Sequence, residues 1–599
     1  MKGDTALTTL LAAEFQFVQQ YIFALPKLRA MVGANRSLAL ALKALEKAVP
    51  SVLSYPLPQA LRDHFDKLAA FERTYLGERA EGDKPAEQLE RGILAAAGGH
   101  FEVLLDSGDE ALSENMVRAL HEYAPGLAFS LVPADVDAKA AFHSQDGAVR
   151  RAIGQQKFER SKGAAALFGH PYMQVCQYSG TEPADHKQSY WPEPPRYVSQ
   201  RTKMLLELGH TTTPPPVSDM AGFVEDRVLS HHKGARLPRE FNEFLHPGEG
   251  RSFLAIVAID GNNVGQSLKQ FQQTKIDKGA TYFEGAAQTE LFFYRLRLLH
   301  RVALVRALLA TKSLSPIARE SENKGEGSEQ VLPLRMLMLG GDDALLVLRP
   351  YVAMEFIQHF ARWWHALLCA DQRLAGDEVQ FSEEEWQGLT GWTKQFGAFT
   401  FKAGIALTPA SYPFHAGHAL AYELASSAKS ARLPDGSGTS TVDWHMLFSS
   451  QPEPLDQLRA REYTRSYTLG VEQESLHLTH RPYPILGTGK SLEAQWSKAS
   501  SLAQGIAEEE QGRIARSKLK LLRTLVGIGR LETELILREL RQATRGAAGL
   551  PEKAFEKVNG AYETELMDLA ELVDMFVEKQ RLEKVRAAEK EEQEVPAPS

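Results

Sequence analysis

The sequence predicts an α+β protein built on a duplicated domain and closed by a helical C-terminal region, on three observations. Two segments, ILAAAGGHFEVLL around residues 93 to 105 and LRMLMLGGDDALLVL around residues 334 to 348, share the order strand, Gly-Gly turn, strand. Upstream of each lies an apolar strand followed by a helix, in TTLLAAEFQFVQQYIF before the first and FLAIVAIDGNNVGQSLKQF before the second. From about residue 490 the apolar positions take mixed three- and four-residue spacing, as in RLETELILREL and AYETELMDLAELVDMFVEKQ, which is the period of amphipathic helices.

In each hairpin the paired glycines are expected to relieve the cost of positive φ in a tight turn, and the flanking apolar runs suit strands buried between layers. Between the two copies the chain is rich in turn formers, including CQYSGTEPADH, YWPEPPRY and TTTPPPVSD, and reads as a linker with a small insertion that holds little core. The run TFKAGIALTPASYPFHAGHALAYELASSAKSARLPDGSG reads as a strand, a turn, a helix ending near Lys429 and a glycine-rich loop, followed by the strand STVDWHML. The final RAAEKEEQEVPAPS reads as a solvated, frayed tail.

A chain of 599 residues exceeds one hydrophobic core. Its apolar and charged fractions, 43% and 24%, are those of ordinary globular chains, and no uncharged stretch reaches bilayer-spanning length, so a cytoplasmic protein without membrane partners is expected. The only two cysteines, Cys176 and Cys369, stand far apart without partners at ligand spacing, which leaves no disulfide framework and no cysteine zinc site. A net charge of −8 argues against a protein that coats nucleic acid unaided, because that affinity comes from Lys and Arg neutralising phosphates.

The chemistry concentrates at two places. In FLAIVAIDGNNVG a buried strand ends in Asp260, and the small Gly261 leaves its carbonyl accessible. In LMLGGDDALLV a turn presents Asp342 and Asp343 between apolar strands. If the strand lies beside the hairpin, three carboxylates converge into the oxygen-rich environment that Mg²⁺ or Mn²⁺ takes, with a metal-bridged triphosphate as the expected ligand. Such a site would hold two ions about 3.5–4 Å apart, one lowering the pKa of an attacking 3′-hydroxyl and one neutralising pyrophosphate. The bland alternatives are a strand-end cap for Asp260, an ordinary turn with solvated acids for Gly340-Gly341-Asp342-Asp343, and a surface charge for Lys429. Other features read as structural. His231 and His232 lie in a polar loop without a third ligand, His100 as a packed or hydrogen-bonded residue, and Trp363 and Trp364 as core positions of an amphipathic helix.

The order strand-Asp, Gly-Gly-Asp-Asp, Ala-Gly-Ile-Ala, then a helix ending Ala-Lys resembles the GGDEF nucleotide-cyclase superfamily, and more closely the palm domains of the large subunit of type III CRISPR effector complexes. Asp260-Gly261-Asn262-Asn263-Val264-Gly265 is similar to that family's first metal motif, Gly340-Gly341-Asp342-Asp343 to its signature turn, and Ala428-Lys429 to the position whose lysine reaches triphosphate oxygens. YIFALPKLRAMVGANRSL at residues 21 to 38 resembles the opening of the first palm, Gly98-Gly99-His100-Phe101 its degenerate turn, and HRPYPI from His480 to Ile485 the passage into the C-terminal helices. The resemblance implies two ferredoxin-like palm domains, the first degenerate (1–165) and the second bearing the Gly-Gly-Asp-Asp turn (246–450). A linker with a degenerate zinc-ribbon-like insertion (166–245) would join them, and a helical domain with a disordered tail (451–599) would follow.

It further implies an enzyme that joins ATP into cyclic oligoadenylate messengers in RNA-guided antiviral defence. Asp260, the Gly261 carbonyl, Asp342 and Asp343 would hold metal; Gly261, Asn262, Gly265, Gly340, Gly341 and Lys429 would contact the nucleotide. The implied partners are backbone and small effector subunits, guide RNA and target RNA. Alternatives are a catalytically weak scaffold subunit of such a complex and a stand-alone cyclic dinucleotide synthase. The chain departs from the family at three places: Asn262 stands where a second carboxylate is usual, Lys402 where serine is usual, and Ser179 where a second knuckle cysteine would follow Cys176. No His-Asp dipeptide occurs and the first palm begins almost at residue 1, so a His-Asp nuclease is not expected. Elemental analysis of purified protein should find no stoichiometric zinc; one zinc per chain would show that ligands such as His170 or His186 complete a site.

Overall fold

The computed structural model describes residues 8–594 apart from 51–54, 78–83, 106–109, 160, 163–173, 189–193, 211–218, 248–252, 321–327, 369–398, 431–438, 449–451, 470–471, 508–520, 522, 525, 544–549 and 559. Cys369, His170 and most of the glycine-rich loop after Lys429 lie outside the described residues. The protein is mixed α+β with several sheets.

Two of those sheets repeat one plan. In the first, the hairpin Ile93–Ala97 and His100–Leu105 lies beside Thr8–Gln16, which pairs on its other side with Ala128–Val136. In the second, the hairpin Arg335–Leu339 and Ala344–Leu348 lies beside Phe253–Gly261, which pairs on its other side with Phe401–Pro409. Each first strand leads into helices, Leu28–Ala48 in one copy and Tyr282–Ala310 in the other, and each hairpin leads into one, Glu110–Tyr123 or Pro350–Leu368. That strand-helix-hairpin-helix-strand order is ferredoxin-like. The second sheet continues through Thr441–Met446, parallel to its neighbour, to Tyr483–Pro484.

The continuous apolar run of Phe253–Gly261 follows from burial on both faces. Alternate side chains of a strand point opposite ways, so Leu254, Ile256 and Ala258 enter one hydrophobic core while Ala255, Val257 and Ile259 enter another. Both cores cross from copy to copy: Leu11, Ala13 and Phe15 share the first, and Leu10, Leu94 and Leu104 the second. Trp363 and Trp364 are buried, as their helical spacing predicts.

Four local expectations are corrected. The linker is not poor in core, since helices Gln200–His210 and Met220–Leu229 bury Leu205, Leu206, Val224 and Val228. Their short apolar stripes find partners only in the folded chain. The C-terminal region is not purely helical: Thr464–Leu469, Glu472–His477, Ala561–Glu563 and Glu556–Val558 form a four-stranded sheet, for which the β-branched and aromatic residues of TRSYTL were the available signal. The tail stretch is helical as far as Glu594, at the end of Leu566–Glu594, where its Ala, Glu and Lys residues are good helix formers. Finally, the two Gly-Gly turns differ. Gly98 and Gly99 have φ of 61° and 82° in a two-residue turn between Ala97 and His100. Gly340 and Gly341 are not in that region, because four residues separate Leu339 from its partner Ala344 and the longer loop closes without left-handed backbone.

The C-terminal helix is tied to the second sheet by buried charge. Arg481 pairs with Asp568 at 2.9 Å and Glu571 at 3.2 Å, and the Trp444 indole N–H donates to Glu571 at 3.0 Å. Helix Phe414–Ala428 lies so close on strand Phe401–Pro409 that a Cβ built at Gly404 would stand 2.0 Å from the Ala421 carbonyl oxygen. Backbone cannot yield as a flexible side chain can, so Gly404→Ala should lower unfolding stability by about 1–3 kcal/mol, read by chemical denaturation; an unchanged midpoint would contradict this packing.

Candidate functional site

The expected strand and hairpin are adjacent. Ala344 pairs with Ile259, which sets the loop Gly340–Asp343 beside the end of the strand that carries Asp260. Carboxylate oxygens of Asp260, Asp342 and Asp343 lie within 4.8 Å of one another, and this is the one group of three or more metal-ligating acids, histidines or cysteines among the described residues. Gly261 is required for a steric reason: a Cβ there would stand 2.8 Å from both Cβ and Oδ2 of Asp342. The loop is closed by the Gly340 amide donating to the Asp343 carbonyl at 2.8 Å.

The acids repel one another in a partly dry place. Burial, and then the charge of Asp260, pushes the Asp342 carboxyl up to about 6. Burial, the hydrogen bond with Asp260 and the charges of both neighbours push Asp343 up to about 8. One cation is built in: the Lys402 ammonium pairs with Asp260 Oδ2. Three half-buried carboxylates with one lysine leave a net negative cluster, and hard oxygen donors of this kind suit Mg²⁺ or Mn²⁺. Asn262 lies two residues beyond Asp260. Its amide nitrogen donates to Thr400 Oγ1 at 3.1 Å and its backbone N–H to the Thr400 carbonyl at 2.7 Å, while Oδ1 is buried without a hydrogen-bond partner.

Three further residues lie around the site; the sequence reading gave Trp364 a core position only and assigned His300 and Tyr422 no role. His300, fully buried in helix Tyr282–Ala310, donates from Nδ1 to the Gly341 carbonyl at 3.1 Å, and burial holds its pKa near 4, so it remains neutral. Trp364 meets the His300 ring edge-on at 5.2 Å and donates its indole N–H to the Phe399 carbonyl at 2.8 Å. Tyr422 has a buried hydroxyl without a hydrogen-bond partner, and burial, then the charges of Asp343 and Asp260, raises its pKa. A histidine inside a long helix and a tyrosine on another carry no motif, so only the neighbouring Ala403-Gly404 strand offered a signal.

Of the other expected contacts, Gly265 sits in the first turn of Val264–Lys275, where a Cβ would meet nothing within 4 Å. That helix begins directly after Asp260-Gly261-Asn262-Asn263, and its N-cap Asn263 makes no side-chain capping bond, leaving first-turn N–H groups unbonded by a cap side chain. Lys429 is exposed at the C-cap of Phe414–Ala428, and no described contact joins it to the three acids. His100 is exposed rather than packed, because the two-residue turn puts it at the strand's outer end. Cys176 is buried at 3.3 Å from Thr202 Oγ1, with the Ser179 amide 3.5 Å from its sulfur.

The first sheet lacks the acids by register. Glu14 opposes His100 as Ile259 opposes Ala344, so the next position, Asp260 opposite Lys402 in the second sheet, is Phe15 opposite Phe129 in the first. Both phenylalanines are buried. A cavity of about 230 Å³ runs from that copy to the acids, lined by Ile22, Leu38, Ala39 and the Gly98–Gly99 turn on one side and by Met338, Gly340 and Asp343 on the other. Gln19 and Asn35 supply polar atoms to its wall.

No family model matches the chain, and no curated protein does. Among solved structures it is similar to a Csm1–Csm4 cassette in complex with pppApApA at 12% identity and TM-score 0.43, covering 96% of this chain and 70% of that one. It is similar to Csm1 of T. onnurineus at 11% identity and TM-score 0.42, covering 96% and 70%, and to a Csm1–Csm4 cassette in complex with cA4 at 10% identity and TM-score 0.41, covering 96% and 71%. No helix among the described residues is long and apolar enough to cross a membrane.

The raised carboxyls have a consequence for stability. Folded-state pKa values of about 6 and about 8 lie above the ordinary 3.8, so this contribution is fully present below pH 3.8 and is lost as pH rises through them. Without divalent metal, Asp343→Asn should therefore melt at least about 2 °C above the wild type beyond pH 8, with the gap closing towards pH 4. A pH-independent difference would contradict the crowding of the three acids.

Proposed function

We propose that this protein is a palm-domain nucleotidyl transferase that converts ATP into cyclic oligoadenylates, acting as the large subunit of a type III CRISPR effector complex. The observation that carries it is the meeting of Asp260, Asp342 and Asp343 at one sheet end, in the motif order of that family. In this reading the sheet from Phe253 onward is the second, active palm and the N-terminal sheet the first, degenerate one.

Asp260, Asp342, Asp343 and the Gly261 carbonyl would hold the divalent ion, which when bound neutralises triphosphate and lowers the pKa of an attacking hydroxyl. The chain's own residues do the remaining work by position and charge. First-turn N–H groups of Val264–Lys275 receive phosphate oxygens, and Lys429, exposed at the end of its helix, neutralises the tail of the triphosphate. The cavity is smaller than the roughly 300–1,000 Å³ of a pocket for a whole drug-sized ligand, but it suits a purine base, leaving ribose and phosphates over the acids. Its apolar walls take the ring faces and the Gln19 and Asn35 amides the ring edge. His300 fixes the turn without carrying charge to it. The wall supplied by the first copy explains a degenerate palm that is kept: it completes the nucleotide site of the second.

A scaffold subunit with little turnover is the second reading, favoured by the Lys402–Asp260 ion pair and by Asn262 in place of a carboxylate. The assay uses the chain assembled with backbone and small subunits, guide RNA and target RNA, with Mg²⁺, Mn²⁺ or Co²⁺. Oligoadenylate formation should fall at least about 10²-fold, or about 2.7 kcal/mol of barrier, in Asp342→Ala with Asp343→Ala and in Asp260→Ala. Lys429→Ala should mainly weaken ATP binding. No nucleotide turnover by the assembled wild type would establish the scaffold, and turnover of GTP alone would retain the metal chemistry but not the adenylate product.

A further inference from the structure

The ladder between Phe253–Gly261 and Phe401–Pro409 places Lys402 directly opposite Asp260. Opposed residues of antiparallel strands share a face with Cβ atoms about 4.5–5.5 Å apart, so the ammonium is delivered to that carboxylate by backbone register and not by a chance rotamer. The Lys402 side chain is only 14% exposed, and it pairs with Asp260 Oδ2. Two residues beyond Asp260 stands Asn262, a neutral amide held by Thr400, which precedes the strand that carries Lys402.

Charge then decides how many cations fit. Among the described residues, three carboxylates and one ammonium leave a formal −2, which one divalent ion balances. A second divalent ion would meet the ammonium at the shared carboxylate, and a cation–cation contact within a few ångströms costs on the order of kilocalories even at an effective dielectric of about 20. Asp342 and Asp343 stand beside Gly341, where a Cβ would meet nothing within 4 Å, so the open side of the cluster is theirs.

We infer that this site takes a single divalent cation, shared by Asp342, Asp343 and Asp260, and that the Lys402 ammonium permanently occupies the place of a second one. The inference rests on the metal-binding reading of the three acids given above. Lys402 is thus a positioning residue and a fixed counter-charge: it orients Asp260 and presents a cation to an incoming phosphate.

Nucleotide-free Mn²⁺ binding, followed by the electron paramagnetic resonance signal of free Mn²⁺ and by calorimetry, tests this without any turnover. The wild type and Lys402→Arg should bind one Mn²⁺ per chain at the acids. Lys402→Ser should bind two, or bind one at least about ten-fold more tightly if the second remains too weak to saturate. Circular dichroism and melting of each variant separate a binding change from unfolding, and Lys402→Met offers a second neutral side chain of matching length. Two ions in the wild type, or unchanged number and affinity in folded Lys402→Ser and Lys402→Met, overturns the inference and leaves the metal site intact. Binding that is unaltered in Asp342→Asn with Asp343→Asn overturns the metal-site reading itself, so the two failures are distinct.

Discussion

The repulsion among three carboxylates at one sheet end is the constraint around which the molecule is arranged. The three lie within 4.8 Å of one another; burial, and then the neighbouring acids, raises the pKa of Asp342 and of Asp343, and the fold must keep together groups that would separate in water. It does so with backbone. Asp260 is fixed by the end of a strand buried on both faces, and the other two are fixed by a loop that closes on its own Gly340 amide. The absence of a side chain at Gly261 lets Asp342 lie against the strand, and neutral His300 holds the loop from below.

The duplicated sheets carry that load jointly. Neither sheet has a private core, since alternate residues of Thr8–Gln16 and of Phe253–Gly261 contribute to the same two hydrophobic clusters. One copy presents Asp260 opposite Lys402, and the other presents buried Phe15 opposite Phe129 at the equivalent register. Of that aromatic pair, Phe15 lines the cavity that reaches Asp343.

Much of this was legible in the chain. The two hairpins, the strand ending in Asp260, the loop bearing Asp342 and Asp343, and the core role of Trp363 and Trp364 follow from local period and turn chemistry. Less legible were segments whose apolar residues are few and find partners only at a distance. The helices Gln200–His210 and Met220–Leu229 lie in turn-rich sequence, yet they fill the core. The small C-terminal sheet has strands of three to six residues, too short for a period to stand out beside strong helical patterns.

By itself the sequence determined which residue types could gather metal and phosphate, because a strand-end aspartate and a Gly-Gly-Asp-Asp turn are local features whose geometry needs few neighbours. Tertiary structure alone decided the charge environment. That Lys402 faces Asp260, that His300 bonds Gly341, that Tyr422 leaves its hydroxyl near the acids and that Phe15 takes the equivalent place in the first sheet all depend on strand register and helix packing between distant segments. Such pairings are fixed by burial of whole faces, and a shift of one residue along a strand would turn Lys402 to the opposite face.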